Sequence, residues 1–483
     1  MQKLSAALLA AIVAANALLS IGCGQEGDSD ETTSPSGSDN TQTTSESGEQ
    51  LGIPDDAAFA GYTFRILSRP EAYVEEVYAE SETGDVLSDS VWRRNQIVKE
   101  LLDIEFEILE SSGSFEYDAR EVIMAGDDAY DAIPTHGRAA FHYPVTGAAV
   151  DWYDLPYVDL EKSWWSQDAA ENFTINGKLY AMCGDISYAT IQSSMAMYFN
   201  KDLFDEYQLE YPYEMVRNGT WTFDEFNTLA RTFGNDLNGD GEMLLADDQF
   251  GYATGEWAGP IEAVYSTGSR IITVNNDGYP ELTFNNEAVV DLYDAYFALL
   301  NSESGYVKPA DYTYLEAFCD GRVAFADDTL AKLADETFRN SEVNFGVIPW
   351  PKWSEKLDRY YSNVDAGHSL WVIPITNPDL ERTSIILEAM AYYGQQEIIP
   401  AYYDICLENK FLRDESSVEM LDFIYDGAVF DLGYYNDAQF GGKFASTGYY
   451  LVNDPTLTFT TFYAQSEQAV KTLIDESMES YLS

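Results

Sequence analysis

From Tyr62 onward the chain alternates short runs rich in β-branched and aromatic residues with longer amphipathic stretches. That alternation restricts it to an α/β architecture with largely parallel sheets. Tyr62-Thr-Phe-Arg-Ile-Leu-Ser68 has the period of two that marks a strand, Ser90 to Leu102 has helical spacing, and Ile104-Glu-Phe-Glu-Ile-Leu109 alternates again, which makes a β-α-β unit. Asp118 to Ala125 continues as a helix, and Tyr130 to Gly137 as a strand ending in a polar turn. Ligands of open α/β sheets sit outside the carboxyl ends of the strands, where Ser68, Arg69, Thr135, His136 and Arg138 fall. A chain of 483 residues has room for two lobes, each with its own core.

The first 22 residues have the layout of an export signal: Lys3 supplies a positive charge, Leu4 to Ile21 is almost unbroken Ala, Leu, Ile and Val, and Gly22 precedes Cys23. A Cys after such a segment resembles a bacterial lipobox, in which the thiol is acylated and becomes the mature N-terminus, although Ser20 departs from the usual aliphatic residue. Gly24 to Gly52 is Ser, Thr, Gly and acid with hardly an apolar side chain, so residues 23–56 are expected to form a disordered tether with a reach of about 30 Å. The body then runs from 57 to 483.

Charge excludes a class of partners. The chain has 26 basic and 83 acidic residues, a formal charge of −57, and such a field repels polyphosphates, so nucleic acid is not an expected partner. The tail explains little of it. Without Lys3 and the seven acids Glu26, Asp28, Asp30, Glu31, Asp39, Glu46 and Glu49, the rest still holds 25 bases and 76 acids, a charge of −51. Cys183, Cys319 and Cys406 are an odd set with no C-x-x-C, so at most one disulfide can form.

In the middle of the chain, Thr222 with Glu225 three residues on makes a capping box, and the helix it opens has an apolar face through Phe226, Leu229 and Phe233. Later strand-like runs occupy Arg322 to Asp327, Phe345 to Pro351 and Leu370 to Pro374, the last followed by a helix from Pro378. No internal repeat is visible. The strings GKLYAMCG, MYFNKDLFDEY, NGTWTFDEF, DGRVAFADD, NFGVIPWPKW and AGHSLWVIPITNPDLERTSIILEAMAY, in that order, resemble landmarks of the extracellular solute-binding proteins of ABC importers, in the sugar-binding type that includes maltose-binding protein. The resemblance implies the two-lobed periplasmic-binding-protein fold (type II), with lobes joined by crossing hinge strands. It places one lobe at about 57–182 and 351–396 and the other at about 190–345 and 397–483. It also implies a protein with no catalytic residues, anchored by lipid at the outer face of the cell membrane, that captures a small molecule, a sugar or oligosaccharide, for the membrane subunits of the permease.

The residues themselves leave two other classes open. A secreted acidic glycoside hydrolase fits the anchor and the aromatics, but with 83 carboxylates an acid pair at any chosen spacing is no evidence, and hydrolase motifs are absent. Capture of a peptide or amine fits the acidity. For a sugar, aromatic faces stack on the pyranose while a few polar groups satisfy its hydroxyls. Trp257, in the Gly- and Pro-rich stretch 255–260, and Trp350, beside a strand end, are the expected cleft tryptophans. Arg69, His136, Asp185 and Asp327 are the expected polar partners. Trp164, Trp165 and Trp221 read as packing. A structural Ca²⁺ is expected at Asp236, Asn238, Asp240, Glu242 and Asp247, which hold positions 1, 3, 5, 7 and 12 of an EF-hand-like loop with Gly241 at 6; Asp replaces the usual Glu at 12, and Leu244 at 9 leaves that ligand to water.

Overall fold

Strands Tyr62–Ser68 and Ile104–Glu110 pair in parallel, Tyr62 opposite Ile104 and Ser68 opposite Glu110. The helix that joins them, Val86–Leu102, starts earlier than its apolar spacing shows, because the Asp85 carboxylate accepts the Ser88 N–H as an N-cap. It stops at Asp103, which takes the left-handed conformation at φ 48°. The computed structural model describes residues 49–482 except 71–72, 112–114, 309–312 and 409–413. The export segment, Cys23 and nearly all of the tether lie outside the described residues.

The first sheet grows from this unit. Ile66 bridges Ala132 in parallel, which sets strand Ile133–His136 beside it, and Ser369–Val372 then adds antiparallel, Ser369 opposite His136. Helix Leu380–Glu408 covers this sheet by packing on Val86–Leu102. Between them Arg94 is fully buried with no carboxylate partner among the described residues. Its guanidinium donates to the Asn95 side chain and to the backbone carbonyls of Val77, Ile186 and Met390, tying four segments together, and burial pulls its pKa down to about 9. The same helix carries Glu388, whose two oxygens accept the indole N–H groups of Trp164 at 3.2 Å and Trp165 at 2.8 Å. Both tryptophans are packing residues, as their sequence reads.

The second sheet has five strands in the order Phe345–Ile348, Met195–Asn200, Val323–Thr329, Phe250–Gly255, Gly305–Lys308. Met195–Asn200 runs antiparallel to both its neighbours, while Phe250–Gly255 is parallel to both of its own. The sheets are therefore mixed. The reversed strands, 195–200 and 369–372, are those the chain enters straight after passing from one sheet to the other, a feature that local alternation does not encode. The Gly177–Asp185 crossing makes only isolated bridges, Met182 to Trp371 and Trp165 to Gly184, rather than a continuous strand.

Phe325, on the central strand, anchors the second core against Phe204, Trp221, Phe226 and Phe233, with ring centroids 5.4 to 6.4 Å apart. Helix Phe223–Phe233 delivers two of these rings, and Thr222 caps it by accepting the Glu225 N–H. Helix Glu415–Asp426 packs on the edge strand Phe345–Ile348, but the residues after it do not belong to one lobe. Helix Phe459–Leu482 touches both His142–Val145 beside the first sheet and Glu287–Leu300 beside the second. The expected boundary at 396 also falls inside the continuous helix Leu380–Glu408. Cys183 is a buried free thiol.

Because the Phe325 ring is surrounded on all sides and no flexible chain is placed to fill its space, Phe325→Ala should lower unfolding free energy by about 3 to 5 kcal/mol. Urea unfolding checks it, and a loss below about 1 kcal/mol would show that this core collapses freely.

Candidate functional site

A cavity of about 520 Å³ opens where the two sheets face each other, within the usual size of a small-molecule site. Its exposed aromatic rings and charged groups come from four places in the chain. Tyr73 lies just beyond the carboxyl end of strand Tyr62–Ser68; Glu256 and Trp257 are in the turn after strand Phe250–Gly255; Asp328 and Lys332 stand at and after the end of Val323–Thr329; Asp365 belongs to the segment returning to the first sheet. Three of the four are strand carboxyl ends, in keeping with the rule for open α/β sheets.

Tyr73 and Trp257 are the aromatic faces of this cavity, 46% and 49% exposed, when large apolar residues elsewhere in the body are mostly buried. Each is backed on one side. The Arg69 guanidinium carbon lies 3.6 Å from the Tyr73 ring centroid, and Tyr449 stacks on Trp257 at 4.6 Å with 26° between the planes. One aromatic face of each remains for a solute. The carboxylates are held by neutral donors: Asn453 donates to Glu256 at 2.9 Å, the Tyr314 hydroxyl to Asp328 at 2.7 Å, and Tyr434 to Asp365 at 2.6 Å.

The expected site residues divide. Trp257 lines the cavity. Arg69 does not reach it and acts as a support: it is 1% exposed, donates to the Gly367 carbonyl and the Ser369 hydroxyl, and pairs with Glu76 while carrying Tyr73 on its face. Trp350 is a correction. Its indole is fully buried and donates to Asp327 Oδ2 at 2.9 Å, because the strand end beside it turns inward instead of toward the cleft. Asp327 is likewise fully buried, accepting from Tyr252 as well, and burial pushes its pKa up to about 7. Asp185 accepts from Gln395 and Tyr425, which joins the crossing segment to two helices, and burial lifts it to about 7. His136 accepts the Arg138 N–H through Nδ1, and burial, with Arg69 nearby, holds it down to about 4 and so uncharged at neutral pH.

Tyr73, Asp328 and Asp365 were not read from the sequence as site residues. A signal existed for one of them: in a strand, side chains alternate faces, so of the pair Asp327 and Asp328 only one can face the cleft. A larger depression of about 600 Å³, lined by Glu316, Cys319, Asp320, Asn340 and Glu342, has no aromatic face and no residue of the first sheet, so it is not the site.

In the 236–247 loop, Asp236 accepts the N–H groups of Gly239 and Gly241, and Asp240 accepts that of Glu242. Asp248, not Asp247, closes the loop by accepting from Leu237 and Leu244. Among the described residues no three or more His, Cys, Asp or Glu are gathered as a metal cluster.

Asp185, Asp327 and Glu388 are all pushed up to about 7 by burial, against about 4 in an unfolded chain. The native state then binds more protons than the unfolded state between those values, so stability falls as pH rises through that window and levels off above it. His136 and His368, buried uncharged at about 4 and about 3, and His142, also held down by burial, act in the opposite direction below pH 6.5, but burial raises Glu262, Asp328, Asp431 and Asp437 as well, so the acids outnumber them. Asp248, held low by the Leu244 N–H, loses its contribution only in stronger acid. Melting temperature should therefore drop from about pH 5.5 to pH 8, and Glu388→Gln should reduce the drop; scanning calorimetry across pH checks both, and a flat or rising profile would refute the balance.

A profile of the family described as bacterial extracellular solute-binding protein matches residues 121–398. No curated protein matches the chain. Among solved structures, a sugar transporter of Rhizobium etli in an open conformation is 13% identical, with a TM-score of 0.58 over 85% of this chain and 99% of its own. The GacH receptor of Streptomyces glaucescens, solved unliganded and with acarbose, is 16% identical, with a TM-score of 0.54 over 86% and 99%. The maltose/maltodextrin-binding domain of Bdellovibrio bacteriovorus, bound to maltotriose, is 13% identical, with a TM-score of 0.52 over 86% and 100%. These likenesses show the two-lobed fold.

Proposed function

The chain belongs to the bacterial extracellular solute-binding proteins, and from that premise we propose that its cleft captures a carbohydrate and hands it to the membrane subunits of an ABC importer. The observation that carries the carbohydrate is the pairing of two half-exposed aromatic faces, Tyr73 and Trp257, with the acceptors Glu256, Asp328 and Asp365 around one cavity of about 520 Å³. Stacking on the C–H face of a sugar ring and acceptance of its hydroxyl protons need those two kinds of group together. The neighbours solved with acarbose and maltotriose support the same reading. In it the protein makes and breaks no covalent bond. Tyr73 stands on the first-sheet side and Trp257 on the second, so a ring held between them draws the sheets together and shifts the population toward a closed form for the permease to recognise.

Calorimetry against a panel of neutral oligosaccharides tests the site. Tyr73→Ala and Trp257→Ala should each weaken binding by about 1 to 3 kcal/mol at small cost in stability, since both rings are half exposed. Trp350→Ala, which empties a buried position, should instead cost about 3 to 5 kcal/mol of stability. Unaltered affinity in both cleft variants would exclude this cavity, and product release from any glycan would favour a hydrolase.

We also propose that Cys23 is acylated and holds the protein at the outer membrane surface through the residues that follow it; among the described residues no helix is long and apolar enough to cross a membrane. Cys23→Ser should move the protein from the membrane fraction to the medium, and a mature chain that still begins at Met1 would sink the idea.

Calcium at the Asp236 to Asp247 loop is a smaller proposal, carried by the 1-3-5-7-12 spacing of its expected ligands with Gly241 at position 6. A carboxylate has about four lone-pair sites, so the backbone bonds of Asp236 and Asp240 leave capacity for a cation. Chelation should lower the melting temperature and Asp240→Ala should abolish the difference; identical curves with calcium and chelator would reject it.

A further inference from the structure

The charges around the cleft do not balance. Each nearby cation has its own carboxylate: Arg69 pairs with Glu76 at 3.3 Å, Arg138 with Asp437 at 3.7 Å and Lys332 with Asp335 at 3.4 Å. Glu256, Asp328 and Asp365 line the cavity, and none of them is in a salt bridge with a Lys or Arg among the described residues. Their hydrogen bonds come from uncharged donors, the Asn453 amide, the Tyr314 and Thr329 groups, the Gly367 N–H and the Tyr434 hydroxyl. Burial holds Asp328 above its usual range, opposed by the Tyr314 hydroxyl and the more distant Lys332, and the Asp365 charge adds to the rise. Three carboxylates so placed repel one another, and a solute of opposite charge relieves that repulsion on entry. The open faces of Tyr73 and Trp257 suit a cation too, since an ammonium group is drawn to the face of an aromatic ring.

We propose that the solute is an amino saccharide, with a free ammonium group among Glu256, Asp328 and Asp365. This rests on the carbohydrate reading and narrows it: the neutral part of the ligand stacks on Tyr73 and Trp257, and the charged nitrogen takes the place of one hydroxyl beside the acids. An anionic sugar is excluded by the same charges.

The test compares matched disaccharides by calorimetry at pH 6 and low salt: the β-1,4-linked glucosamine disaccharide with free amines, its N-acetylated form, cellobiose, and a glucuronate disaccharide. The amine should bind at least about tenfold more tightly than cellobiose, the preference should shrink in 0.5 M salt, and the uronate should not bind. Asp328→Asn and Asp365→Asn should bring the ratio of amine to hydroxyl toward one, whereas the exposed Glu100→Gln should leave the ratio as it is. Melting curves of each variant separate loss of the fold from loss of the preference. Cellobiose or the N-acetylated sugar binding as well as the amine would overturn this inference and leave the carbohydrate reading standing. A cationic peptide or polyamine that binds when no saccharide does would overturn the carbohydrate reading, and the amino saccharide with it.

Discussion

Asp327 is a carboxylate with no exposed surface and no basic partner among the described residues, and the second half of the site is assembled on it. Its Oδ2 accepts the Tyr252 hydroxyl and the Trp350 indole, both at 2.9 Å. The turn from Gly255 to Gly259 lies directly over this group: a Cβ at Gly259 would come within 2.4 Å of Asp327 Oδ2 and 2.1 Å of the Tyr252 oxygen. Only glycine permits that approach, and the Gly259 N–H is in turn held by Thr254. Trp257 and Glu256 project from the same turn. A buried acid is expensive to desolvate, and its pKa near 7 records that expense. What it secures is position, because Trp257 is half exposed and has no apolar pocket of its own to fix it.

The neighbouring residue shows how one strand serves core and cleft together. Along Val323–Thr329 the Asp327 side chain faces inward and that of Asp328 faces the cavity, where Tyr314 orients it. Strand geometry forces the division, since adjacent side chains lie on opposite faces. On the first sheet the arrangement is parallel in purpose and different in chemistry: Arg69 is buried with Glu76, Ser369 and the Gly367 carbonyl, and its flat guanidinium supports the Tyr73 ring. The exposed aromatics thus each rest on a buried polar group, one anionic and one cationic, and the segment carrying Gly367 and Asp365 connects the two halves.

Local features were readable because local forces decide them. Strand Tyr62–Ser68, the Thr222 cap and the helix it opens follow from period and capping chemistry alone. Trp257 was found through its Gly- and Pro-rich surroundings, which hold a turn at the surface. The same reasoning failed at Trp350, flanked by Pro349 and Pro351, because an indole N–H can satisfy a buried acid, and nothing in one sequence says that Asp327 needs it. Tyr73 and Asp365 were hidden for another reason. They meet Trp257 and Asp328 only through the crossing of the chain between sheets, and the reversed strands at 195–200 and 369–372 show that this crossing also sets strand direction, which no window of a few residues contains.

The overall acidity and the acidity of the cleft need separate arguments. A charge of −57 is spread over a surface in solution where ions screen fields beyond about 8 Å, so it affects encounter and solubility more than it selects a solute. A solute bound in the cavity meets the carboxylates at contact distance, where screening ions do not intervene. There Glu256, Asp328 and Asp365 are held in place by the amide and hydroxyl donors of Asn453, Tyr314 and Tyr434. Lys332 lines the cavity and lowers the Asp328 pKa from a distance, yet its salt bridge is to Asp335, while Arg69 and Arg138 pair with Glu76 and Asp437. Had the sequence placed Asp335 elsewhere, Lys332 could have offset one of the three charges in the cleft and left two. Selection for the solute therefore depends on Asp335, which takes up the charge of Lys332 at the cavity wall, as well as on the three carboxylates inside.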